Sequence, residues 1–156
     1  MTTRKTIRIA AGQGFWGDWL EAPVRQVRGG EIDYLVLDYL AEVTMSILQK
    51  QRSRNPAHGY ARDFVTLMER ILPDVATKGI RVVSNAGGVN PRACAMAVRE
   101  AANALGLGDQ IRIALVTGDD LLDRLARSAT CAIGSRAPTP TSACSRSWRL
   151  SRREPT

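Results

Sequence analysis

Four short apolar runs, each followed by a turn of small and polar residues and then by a stretch of helical periodicity, fix the class of fold open to this chain. Thr6-Ile7-Arg8-Ile9-Ala10-Ala11, Tyr34-Leu35-Val36-Leu37, Ile80-Arg81-Val82-Val83-Ser84 and Ile111-Arg112-Ile113-Ala114-Leu115-Val116 read as strands. The second run is unbroken in its apolar character, the pattern of a strand buried on both faces. Helices are predicted between these runs. One covers 19–28, with Asp18 as N-cap, Pro23 in its first turns and Gly29-Gly30 as its stop. A second covers 40–52 through Leu40, Val43, Ile47 and Leu48. A third covers 61–72 through Phe64, Leu67, Met68, Ile71 and Leu72, is interrupted at Pro73, and is followed by a further turn over 74–78 that ends at Gly79. A fourth starts at Pro91, capped by Asn90, and runs through Cys94, Val98, Ala101 and Leu105. A last one opens at Leu121-Leu122. This order predicts an α/β fold: a parallel sheet of about four strands with helices on both faces, built from βαβ repeats.

The length of 156 residues suits one domain. Charge divides that length unevenly. Residues 1–126 carry 16 basic and 14 acidic side chains, whereas residues 127–156 carry 6 basic and 1 acidic. The last thirty residues also hold three of the seven prolines and only Ile133, Trp148 and Leu150 as large apolar groups. Such a segment buries too little apolar surface to offset its ordering entropy. It is read as an unstructured basic tail, in preference to a nucleic-acid arm built on Arg146, Arg149, Arg152 and Arg153. Its composition also matches out-of-frame translation of a GC-rich gene, with the frame lost near Leu125–Arg127. The expected division is therefore an incomplete α/β domain over 1–126 followed by the tail. No window has the roughly 18 apolar residues of a membrane span, and the N-terminus lacks a signal-peptide pattern. Cys94, Cys131 and Cys144 are far apart and read as free thiols, without the spacing of a zinc site.

In a parallel sheet, ligands bind beyond the carboxyl ends of the strands, where the strand order reverses. Four predicted loops share that end, and they hold most of the residues suited to chemistry. Gly12-x-Gly14-x-x-Gly17 fits the dinucleotide fingerprint, with Asp38 about 20 residues on as the ribose acid. Bulky Phe15 and Trp16, and Pro23 in the following helix, equally suit a tight turn with aromatic packing. Asn85-Ala86-Gly87-Gly88 offers donors for an anion or oxyanion, or serves as a turn before the helix capped by Asn90. Asp119-Asp120 suits a divalent cation together with Asp38 or Asp18, or a helix cap. Glu42, one turn into its helix, faces the site or stabilises the helix dipole. His58 is the single histidine and lies in a polar loop, and Cys94 reads as a small buried apolar residue.

Gly12-Gln13-Gly14-Phe15-Trp16-Gly17-Asp18, Asp33-Tyr34-Leu35-Val36-Leu37-Asp38-Tyr39-Leu40-Ala41-Glu42, Ser84-Asn85-Ala86-Gly87-Gly88-Val89-Asn90-Pro91 and Val116-Thr117-Gly118-Asp119-Asp120-Leu121 together resemble the acyclic terpene utilisation AtuA-like family, over about residues 7–125. The resemblance implies a cytoplasmic protein of acyclic isoprenoid catabolism, the breakdown of citronellol and geraniol through acyl-CoA thioesters. It also implies a longer parent protein, of which this chain would be the front part. Acyl-CoA or an isoprenoid-derived small molecule is the implied partner, and oligomerisation is left open. The candidate ligand-binding residues are Gly12, Gly14, Gly17, Asp18, Asp38, Glu42, Asn85, Gly87, Gly88, Asn90, Asp119 and Asp120. No catalytic residue, metal or cofactor is assigned by the motifs. A small dinucleotide-binding domain and a nucleic-acid-binding module are the alternative readings.

Overall fold

The computed structural model describes residues 6–122. The predicted tail, 127–156, lies outside them, as do Cys131 and Cys144. The chain divides into two compact units, Met1–Thr117 and Gly118–Thr156. The first contains β1 (Ile9–Gln13), α1 (Glu21–Gly29), β2 (Tyr34–Leu37), α2 (Glu42–Arg54), α3 (Arg62–Lys78), β3 (Arg81–Ser84) and α4 (Pro91–Ala104). The strands form one parallel sheet in the order β1-β2-β3. Tyr34 stands opposite Ile9 and Arg81, and Val36 opposite Ala11 and Val83, with a register shift between Ala11 and Gln13 in β1.

Two right-handed crossovers that step in the same direction along a sheet lay their helices on the same face. The side chains follow that rule. Leu35 and Leu37 are fully buried and join Val24 and Val27 of α1, Leu67, Ile71 and Leu72 of α3, and Val98 and Ala102 of α4 in one apolar core. On the other face Ile9 is 67% exposed, Val36 37% and Val83 53%. Helices on both faces were expected, and the described residues cover one. The unbroken run of β2 is therefore half-buried, alternating in the usual way for a strand with one solvated face. Tyr34 on the open face is held by Arg81, whose Nη1 donates to its hydroxyl at 2.6 Å and whose guanidinium lies 5.5 Å from the ring centre.

Several predicted boundaries move for identifiable reasons. The predicted fourth strand at 111–116 pairs with nothing among the described residues; Ile111 and Ile113 pack on the core as irregular chain. The expected reversal of strand order is correspondingly absent from the described sheet. β1 starts three residues later than predicted and ends two later, because Gly12 and Gln13 complete the strand. Helix α3 passes through Pro73 to Lys78. Pro73 is exposed, as is Glu69 four residues before it, whose carbonyl loses its amide partner, while Leu72 and Val75 stay buried. Gly79 ends this helix in the left-handed region, with φ at 67°, and Ile80 N–H returns to the Val75 carbonyl at 3.1 Å. Helix α2 buries only Thr44 and Leu48, and leaves Val43 and Ile47 in solvent. Its apolar spacing predicted a core-facing stripe. The helix instead packs by Leu48 against the loop after β3, where a Cβ on Gly88 would collide with Leu48 Cδ1.

Candidate ligand-binding site

Parallel pairing brings the ends of β1, β2 and β3 to one edge, and hydrogen bonds join the three loops that follow. Asp38 N–H donates to the Gln13 carbonyl at 3.1 Å, continuing the ladder past β2. Asn85 completes the link from the third loop. Its Oδ1 accepts from Tyr39 N–H at 2.8 Å, and its Nδ2 donates to Asp38 Oδ1 at 2.7 Å. The Asn85 amide thus bridges the ends of β2 and β3. Its bond, followed by the Leu40 N–H, holds the Asp38 carboxyl below its ordinary range.

The glycine motif does a different job from the one its spacing suggests. A Cβ on Gly12 would meet Leu37 Cδ2 at 2.7 Å and Pro23 Cβ at 2.9 Å, so this glycine lets α1 close on the sheet. Gly17 has φ at 95° and turns the chain. Gly14 is open, but its N–H donates to Asp18 Oδ2 at 3.0 Å, and Trp19 N–H donates to Asp18 Oδ1 at 2.7 Å. Those two amides lower the Asp18 pKa, the Gly14 bond most. Asp18 caps this turn and not the helix, whose N-cap position is Leu20 without a side-chain cap. A pyrophosphate bound as the fingerprint requires would have to displace a carboxylate from the Gly14 amide. The turn is also fastened to α3, because Trp16 Nε1 donates to Asp63 Oδ1 at 2.8 Å.

Gly87, Gly88 and Asn90 build the third loop. A Cβ on Gly87 would meet Pro91 at 2.9 Å, and Gly88 has φ at 52°. Asn90 accepts from Ala93 N–H as the cap of α4, and its Nδ2 donates to the Pro56 and His58 carbonyls, both at 2.8 Å. These three are structural, and they pin the 55–61 loop to the edge. His58 meets Asn55 through its ring nitrogen at 3.4 Å. Glu42 is exposed at the start of α2. Asp119 and Asp120 belong to the second unit, where Asp120 Oδ1 accepts from Leu122 N–H at 3.0 Å. Among the described residues no group of three or more His, Cys, Asp or Glu side chains is placed to hold a metal ion.

Two residues of the motifs that were not among the candidate ligand-binding residues are buried at this edge. Gln13 is 5% exposed and Tyr39 fully buried, and neither the Gln13 carboxamide atoms nor the Tyr39 hydroxyl has a hydrogen-bond partner among the described residues. Leaving a buried polar group unpaired costs about 1–3 kcal/mol. The Tyr39 ring packs edge-on against Phe64, with centres 5.8 Å apart. Burial, and then the Asp63 charge, raise the Tyr39 pKa, which a weak hydrogen bond from the neighbouring Gln13 side chain, outside ordinary bonding geometry, pulls back in part. Burial pushes the Cys94 thiol up to about 11, which keeps it protonated. Asp18, Asp38, Tyr39 and Cys94 are each shifted away from neutral pH. The sequence signal for the buried pair was a glutamine closing a strand of small residues, and it is weak.

A shallow cavity of about 390 Å³ lies at the opposite end of the sheet, between Arg8, Asp33 and Lys78. Its polar groups serve the fold. Asp33 Oδ2 accepts from Arg8 N–H at 2.8 Å, and Lys78 Nζ donates to the Val27 and Arg28 carbonyls, both at 2.7 Å.

A three-stranded parallel sheet with four helices, its strand-end loops tied together by hydrogen bonds, defines an α/β protein. The family model described as "Acyclic terpene utilisation family protein AtuA" matches residues 7–150, and the chain belongs to that family. The matched span continues past residue 125, where the motif resemblance stops. No curated protein and no solved structure gives a significant match. Among the described residues no helix is long and apolar enough to cross a membrane.

Proposed function

We propose that this chain takes part in the breakdown of acyclic isoprenoids such as citronellol and geraniol, and that it binds an isoprenoid-derived small molecule at the carboxyl edge of its sheet. The family supplies the metabolic setting. The observation that supports the location is the linkage of the three strand ends, β1 to β2 by the Asp38–Gln13 backbone bond and β2 to β3 by Asn85, beside a buried polar pair. Charge selects which part of the ligand belongs there. Asp18 and Asp38 are both held ionised at the rim, and Glu42 lies close to Asp38 in the chain. Carboxylates repel phosphates at this range. If the ligand is an acyl-CoA thioester, its isoprenoid end rests at this edge and its phosphates lie away from it. The cytoplasm, where acyl-CoA thioesters are made and consumed, is the setting for this reading.

The test is a titration of the full chain with citronellol, geraniol and their CoA thioesters, read by the fluorescence of Trp16 and Trp19. A saturable change with at least one isoprenoid compound, absent with CoA alone, is expected. A flat response to all of them would overturn the reading.

A further inference from the structure

The two buried groups beneath the rim are the least explained part of the first unit. Gln13 closes β1 and Tyr39 lies two residues beyond β2, so both stand at the edge where ligands of parallel sheets bind. Each is more than nine-tenths buried, and each lacks a hydrogen-bond partner among the described residues. The Gln13 side chain lies close enough to the Tyr39 hydroxyl to pull its pKa down as a weak hydrogen-bond partner, but the two do not reach ordinary hydrogen-bond geometry. Buried polar atoms are almost always paired, and one left over asks for a reason.

We propose that the Gln13 carboxamide and the Tyr39 hydroxyl form a recognition subsite for one uncharged oxygen, a hydroxyl or a carbonyl, at the end of an otherwise apolar ligand. The donor and acceptor inventory fits that class. Gln13 Nε2 and the Tyr39 hydroxyl donate to a carbonyl oxygen, and Gln13 Oε1 in addition accepts from a hydroxyl. Charge fits it as well. Of the two ionisable groups that act on Tyr39, Asp63 acts more strongly than Cys94; its carboxylate, already engaged by Trp16, disfavours an anion. Phe64 and Cys94 supply apolar surroundings. Because both polar groups are buried, binding requires local opening, and the Trp16–Asp63 bond ties the neighbouring 14–18 turn to α3.

This inference rests on the proposed isoprenoid reading for the identity of the ligand, and the experiment separates the two. The full chain is titrated with two pairs of compounds, citronellol against citronellyl chloride and 1-hexanol against 1-chlorohexane, with Trp fluorescence as readout. The alcohol is expected to bind at least about 10-fold more tightly than its chloride, a difference of about 1.4 kcal/mol. Gln13→Leu and Tyr39→Phe should each erase that preference, and Tyr39→Phe should leave the unfolding midpoint of the free chain unchanged or raised. Preference within the hexyl pair alone would keep the subsite and sink the isoprenoid reading. Binding without preference in either pair, no binding at all, or a preference that survives both substitutions would overturn the subsite.

Discussion

The two faces of the sheet carry similar residues and meet different fates. On one, Leu35 and Leu37 are sealed beneath α1, α3 and α4; on the other, Ile9, Val36 and Val83 stand in solvent. Strand order makes the difference. A sheet whose crossovers all step one way receives its helices on one side, whatever the hydropathy of the other. The apolar character of β2 therefore reports two demands: core packing through alternate residues, and a second face that is apolar without a cover among the described residues. Exposed apolar surface on a strand is costly in solubility and marks a place where other chain can dock.

Substitutions at neighbouring positions of β2 sharpen that contrast. Leu37→Ala should lower stability by about 2–5 kcal/mol, the range for emptying a sealed site, as a fall in the urea midpoint. Gly12→Val should do comparable damage by forcing the sheet and α1 apart, while Gly14→Ala, with open space around it, should not. Equal effects of the two glycine changes would mean that the motif serves a ligand and not the packing. Asn85→Ala removes the bridge between β2 and β3 and should cost about 1 kcal/mol through the lost Tyr39 amide bond, with weaker ligand binding. Asp38 and Asp18 have folded pKa values below their unfolded ones. Their stabilising effect is complete above the unfolded value of about 4 and fades as pH falls through the folded one. Asp38→Asn should accordingly flatten the acid side of the stability curve below about pH 4, measured by urea unfolding against pH. Val36→Ser should be the mildest, within about 0.5 kcal/mol, and a large loss there would reveal a covered face.

How far the sequence was legible follows from what each residue had to compete with. Tyr34–Leu37 was readable to the residue, because an apolar run between Asp33 and Asp38 has few alternatives. The 111–116 run has the same strand-like pattern, but strand formation needs a partner edge, and that is a tertiary condition. Pro73 predicts a helix end from local sterics, and burial on both sides of it carried α3 onward. Val43 and Ile47 kept helical spacing, yet α2 lies against a loop and not on the core. The strand-end loops were legible as a group because parallel topology alone places them together. What joins them was not: one asparagine amide reaches across 46 and 47 residues of sequence to Tyr39 and Asp38. Gln13 and Tyr39 were hidden because their interest lies in burial without a partner, which no spacing encodes.

The Lys78 ammonium, bonded to the last two carbonyls it can reach on α1, joins the ends of two helices that are 50 residues apart in sequence. It does for α1 what a local C-terminal cap would do, from the final turn of α3. Fraying of one helix is thereby coupled to fraying of the other. Amide exchange in the last turn of α1 should report the opening of α3, so that the two behave as a single cooperative unit around the core they share.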